Sequence, residues 1–82
     1  MPNYRISLDL VDLFPKLDRY GLREFNSPFL LYILESENAD NACHEVMLRL
    51  MRSLLRQSNN IETRIFCRKV RRLMRVDRVE CL

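Results

Sequence analysis

Residues 67–75 read CRKVRRLMR, and five of the chain's fourteen basic side chains fall within these nine positions. Most are arginine, whose planar fork grips carboxylate or phosphate in a bidentate manner, so the chemistry on offer is recognition of an anion. On a helix, Arg64, Arg68, Arg71, Arg72 and Arg75 would form one stripe at steps of three and four, with Lys69 and Arg78 beside it. These seven are the candidate partner-binding residues. Like charges at such spacing repel, and the five neighbour pairs of the stripe would together cost about 1–2.5 kcal/mol. Glu62 is the only acid that the same helix could supply. Relief comes either from Asp9, Asp12 and Asp18, which would make the stripe an internally balanced, solvated face, or from an anionic partner.

Little else in the chain is arranged for reaction chemistry. The single histidine, His44, lies between Cys43 and Glu45, but adjacent residues on a helix point about 100° apart and do not converge. The three cysteines, Cys43, Cys67 and Cys81, form no C-x-x-C pair, and with one histidine they make a poor zinc set. One glycine, Gly21, cannot build a phosphate-cradling loop. The reading is therefore non-enzymatic, with no catalytic, cofactor-binding or metal-binding residues and no cofactor.

The elements that must position the arginines read as helices. Ser27 and Pro28 form a cap-and-first-turn signal ahead of FLLYILE, which predicts a buried helix with apolar residues all round. Asp40 would cap a helix over 41–57, on which Ala42, Val46, Met47, Leu50, Met51, Leu54 and Leu55 recur at steps of three and four. Asn60 would cap the basic helix, 61–75. Asp12 and Gly21 bracket a short helix over 12–20. Residues 4–10 alternate as a strand would, but with no visible strand to pair with they read as a helix or irregular arm, an extended strand being the alternative. The expected fold is all-α: a compact bundle of four to five short helices. Its expected core is Phe14, Leu17, Phe29, Leu30, Ile33, Leu34, Val46, Leu50, Leu54, Ile65, Phe66 and Val70.

Eighty-two residues make one domain with a thin core. Its charge is divided: residues 1–45 sum to −4, and residues 46–82 to +7. An odd number of cysteines suits free thiols in a reducing compartment, so an intracellular location, cytoplasmic or nuclear, is expected. The longest apolar run, residues 29–34, is too short to span a bilayer.

Two functions fit. The first is a helical protein-interaction or regulatory adaptor, offering an arginine-rich face and an apolar groove to an acidic protein or to a second copy of itself, as a homo-oligomer or a subunit of a complex. The alternative is a nucleic-acid-binding domain in which helix 61–75 contacts phosphates and its first turn, Glu62, Thr63 and Arg64, faces the bases. Membrane binding is not expected, since the core needs the apolar side of the basic helix.

Overall fold

The computed structural model describes residues 1–22 and 26–82. It is an α+β fold, which overturns the all-α helical bundle. A three-stranded antiparallel sheet is formed by β1 (Asn3–Asp9), β2 (Phe29–Glu35) and β3 (Arg75–Cys81), in the order β2-β1-β3. Helices α1 (Phe14–Arg19), α2 (Ala39–Gln57) and α3 (Ile61–Lys69) complete it, and a 3₁₀ turn, Val70–Leu73, joins α3 to β3.

The alternation in residues 4–10 is a true strand signal, and β1 runs through the centre of the sheet. Ile6 and Leu8 point inward and are fully buried. The partners that the sequence hid lie on both sides. On one side β1 pairs with β2 in an unbroken register from Asn3↔Glu35 to Asp9↔Phe29. On the other it pairs with β3, with a bulge between Ser7 and Leu8.

The segment expected to be a helix after Ser27 and Pro28, FLLYILE, is β2. Its apolar residues cover both faces, so they carry no period to separate strand from helix. The β-branched and aromatic residues Phe29, Tyr32 and Ile33 favour the pleat. Ser27 does cap, but it caps a strand: its hydroxyl accepts from the Phe29 N–H at 3.2 Å.

The long helix is close to its expected place. Its cap is Asn38 and not Asp40, and the Asn38 Oδ1 accepts from the Asn41 N–H at 2.8 Å. Asn60 caps α3 as expected, accepting from the Thr63 N–H at 2.9 Å. The basic helix predicted over 61–75 is shorter, since α3 ends at Lys69, tightens into the 3₁₀ turn and becomes β3 at Arg75. Helix α1 begins at Phe14 with no side-chain cap, and Gly21 takes the left-handed conformation expected of it, φ 69°.

The core lies between the sheet's inner face and the helices. Ala42, Val46, Leu50 and Leu54, at steps of four, lay one stripe of α2 into it. Ile6, Leu8 and Leu34 come from the sheet, and Leu10, Leu13, Leu17, Leu22, Cys67, Val70 and Met74 close the remainder. Of the expected core, Leu17, Leu34, Val46, Leu50, Leu54 and Val70 are buried, and Phe14, Leu30 and Phe66 are half-buried. Phe29, Ile33 and Ile65 are exposed, because the strand and the shortened helix turn them away from the core.

Candidate binding face

Helix α1 and the α3–3₁₀ segment face one another across an open depression, and what joins them is an aromatic stack. Tyr20, at the end of α1, lies against Phe66 of α3, with ring centroids 4.1 Å apart and planes 15° from parallel. Offset or near-parallel ring contacts of this kind contribute beyond the area they bury. Around the stack sit Lys16 and Arg19 from α1, Lys69 from the end of α3, and Arg72 and Leu73 from the 3₁₀ turn. Together they line an open depression of about 270 Å³.

Helical spacing explains the arrangement. Lys16, Arg19 and Tyr20 lie at i, i+3 and i+4, one side of α1. Phe66 and Lys69 are three apart on α3. The cations stand at the C-terminal ends of their helices, where the backbone dipole favours positive charge. A second depression, about 410 Å³, shares Tyr20, Phe66 and Lys69 and adds Ile65 and Glu62. Among the described residues, Glu62 is the only carboxylate lining either one. Next along α3, Ile61 and Arg64 border a third, with Asn59 and Asn60. Ile61 is 74% exposed and Ile65 48%; four residues apart, they form an apolar strip beside the aromatic stack.

The seven basic residues singled out from the sequence separate into groups. Lys69 and Arg72 join the aromatic depression. Arg64 flanks Ile61, and Arg68 and Arg71 are exposed on α3 and the 3₁₀ turn. Arg75 and Arg78 lie on β3. Arg75 pairs with Asp12 at 3.3 Å, and Arg78 with Glu80 at 3.4 Å. A single helical stripe from 64 to 75 therefore does not exist: the neighbour pairs that end at Arg75 are broken, whereas Arg64, Arg68, Arg71 and Arg72 stay on the continuous α3–3₁₀ segment. Asp12 does reach an arginine, whereas the Asp9 carboxylate accepts from the Val11 N–H at 3.0 Å. Among the described residues the ion pairs involve Arg5, Arg49, Arg75 and Arg78, so Lys16, Arg19, Arg64, Arg68, Lys69, Arg71 and Arg72, like Arg52 and Arg56 on α2, are left without a carboxylate partner.

Lys16, Arg19 and Tyr20 were missed by reading the sequence for charge runs. The trace was there in KLDRY, two cations and an aromatic at helical spacing, but only the tertiary fold sets it against Phe66.

The described residues hold no group of histidine, cysteine and acidic side chains that could bind a metal, and no helix long and apolar enough to cross a membrane. Burial pushes the thiols of Cys43 and Cys67 above their ordinary value, and at Cys43 the neighbouring Asp40 carboxylate adds to the effect. Neither is an activated nucleophile. Compared with protein-family models, curated proteins and solved structures, the chain matches none.

Proposed function

We propose that this protein is a non-enzymatic interaction module whose α1–α3 face binds an acidic, amphipathic segment of a protein partner. The observation that carries the reading is the mixed character of that face. Unpaired cations rim exposed apolar side chains, Ile61 and Ile65, and the Tyr20–Phe66 stack. Phosphate recognition needs the cations alone; an apolar strip is a cost unless a partner covers it. A peptide with acidic residues on one side and apolar residues on the other would satisfy both. Groove binding of an amphipathic helix is a common mode of this kind.

The nucleic-acid alternative finds less support. Thr63, which would face the bases from the first turn of a recognition helix, is buried with its N–H held by the cap. The aromatic rings stack on each other, which leaves less ring face for a base.

The test is a titration of the whole chain with two labelled probes, an acidic amphipathic peptide and a single-stranded oligonucleotide, followed by fluorescence anisotropy. The peptide should bind, and both Ile65→Lys and the combined Lys16→Gln, Arg19→Gln, Lys69→Gln and Arg72→Gln variant should weaken it. Tighter binding of the oligonucleotide, untouched by Ile65→Lys and falling log-linearly with salt, would favour the phosphate reading.

A further inference from the structure

The two edges of the sheet differ. Edge strands expose unpaired backbone groups and are usually protected by charge, proline or a bulge. β3 is protected in this way: Arg75, Asp77, Arg78 and Glu80 stud it, and its pairing with β1 carries the bulge. β2, FLLYILE, has no proline, a flat register and one charge, Glu35, at its end. On the face away from the helices, Phe29, Leu31 and Ile33 are 58–60% exposed. Across that same face their neighbours on β1 are Arg5, Ser7 and Asp9.

The hydrogen-bond phase of the sheet shows which backbone groups of β2 are free. The Ser36 N–H donates to the Pro2 carbonyl at 3.1 Å, and the Leu10 N–H to the Pro28 carbonyl at 2.7 Å. Both contacts continue the β1–β2 register. In an antiparallel ladder, hydrogen-bonded pairs alternate with non-bonded ones. The even-numbered residues Leu30, Tyr32 and Leu34 therefore spend their backbone groups on β1. Those of Phe29, Leu31, Ile33 and Glu35 face the open edge.

We infer that this edge pairs with the β2 edge of a second copy, about a two-fold axis at Tyr32, to make one continuous six-stranded sheet. In the register that overlaps all seven residues, Tyr32 lies opposite Tyr32 of the other copy, Leu31 opposite Ile33, and Phe29 opposite Glu35. Backbone phase, side-chain direction and charge are all compatible with this register. The facing pairs Leu31–Ile33 and Phe29–Glu35 join residues whose backbone groups are free. Every residue keeps its own side of the sheet, so the exposed apolar side chains of both copies merge into one strip. No like charges oppose each other, because the only charge on the strand meets Phe29. The Phe29 N–H is already held by Ser27, so the ladder ends there and the Phe29 carbonyl alone receives the Glu35 N–H.

A second copy suits this edge better than face-to-face packing of two sheets, which would bury Arg5, Arg75 and Arg78 of β1 and β3. A strand seven residues long, about 23 Å, makes an interface at the small end of the specific range, where association is weak and reversible. The dimer is therefore expected to form with micromolar affinity. It leaves the α1–α3 face of each copy free.

Sedimentation equilibrium of the full chain under reducing conditions, which exclude disulfides through the exposed Cys81, tests the inference. The wild type should move from 9.9 kDa towards twice that mass as concentration rises into the hundreds of micromolar. Two variants address the edge. Leu31→Lys places charge in the strip. Ile33→Pro removes an N–H that faces the edge while sparing every bond from β2 to β1. Each should stay folded by circular dichroism and weaken dimerisation by more than about tenfold. Should Ile33→Pro disturb the strand itself, Leu31→Lys decides alone. A wild type that stays monomeric throughout overturns the inference, as does a dimer untouched by a folded Leu31→Lys, or growth into open assemblies without a dimer plateau. None of these outcomes depends on peptide binding at the α1–α3 face.

Discussion

The three thiols sit in three environments: Cys67 buried, Cys43 half-buried and Cys81 exposed on β3. A thiol-reactive reagent should label Cys81 first and Cys67 only on unfolding, which mass spectrometry of timed digests would show; early labelling of Cys67 would mean that the core opens locally. The same burial sets a pH dependence. An acid whose pKa is raised by folding holds its proton longer in the folded state than in the unfolded chain. The folded protein thus binds more protons at alkaline pH, and stability falls as pH rises past the ordinary thiol value of about 8.5. Below that value the contribution is constant. The melting temperature should decline from about pH 8 to about pH 10, and Cys67→Ala should shallow the decline even if it lowers stability at neutral pH. At the cap of α3, Asn60→Ala removes the acceptor for the Thr63 N–H and should cost about 1 kcal/mol, measurable by urea denaturation.

Among the elements, α2 is the one most plainly written in the sequence. Ala42, Val46, Leu50 and Leu54 repeat every fourth residue, and that spacing survives as the buried stripe. Leu50→Ala should cost about 2–5 kcal/mol, while Ile65→Ala, on an exposed face, should stay within about 0.5 kcal/mol; thermal melts of the two variants check this contrast directly. The sheet was far less legible. β2 is apolar on both faces because its outer face is uncovered, so alternation is absent and the Ser-Pro signal imitates a helix start. β3 was masked by its bulge. Val76 and Val79 stand three apart, a helical spacing, yet they pair with Leu8 and Ile6, two apart on β1. The bulge residue, Asp77, takes up the difference. With β2 read as helix and residues 76–82 assigned to no element, the genuine alternation of β1 had no partner, and the all-α reading followed. The candidate site was half legible: Lys69 and Arg72 came from the charge run, but Lys16, Arg19 and Tyr20 required knowing that Tyr20 meets Phe66.

For the molecule as a whole, the division between an acidic first half and a basic second half is only slightly cancelled by folding. Asp12–Arg75 spans the halves, as does Arg5–Glu80 at 3.7 Å, and both pairs are solvent-exposed, worth up to about 1 kcal/mol each. Replacing Lys16, Arg19, Lys69 and Arg72 with glutamine should therefore leave the free protein's melting temperature unchanged or slightly higher. A clear fall would show that these cations are internal counterweights after all. The fold is also elongated, 39 × 19 × 18 Å, and its central strand lies early in the chain while one of that strand's two neighbours lies at residues 75–81. This order has a consequence during synthesis. A ribosome delivers β1 first and β3 after every other element, so on the growing chain β1 can zip to β2 but must wait, one flank bare, until nearly seventy further residues have emerged. Native closure is then governed by a long-range encounter, slow by the standard of helical proteins of this size. In that interval a nascent chain has two open strand edges where the finished protein has one unguarded edge, and polysomes carrying several such chains are where mispairing would be concentrated.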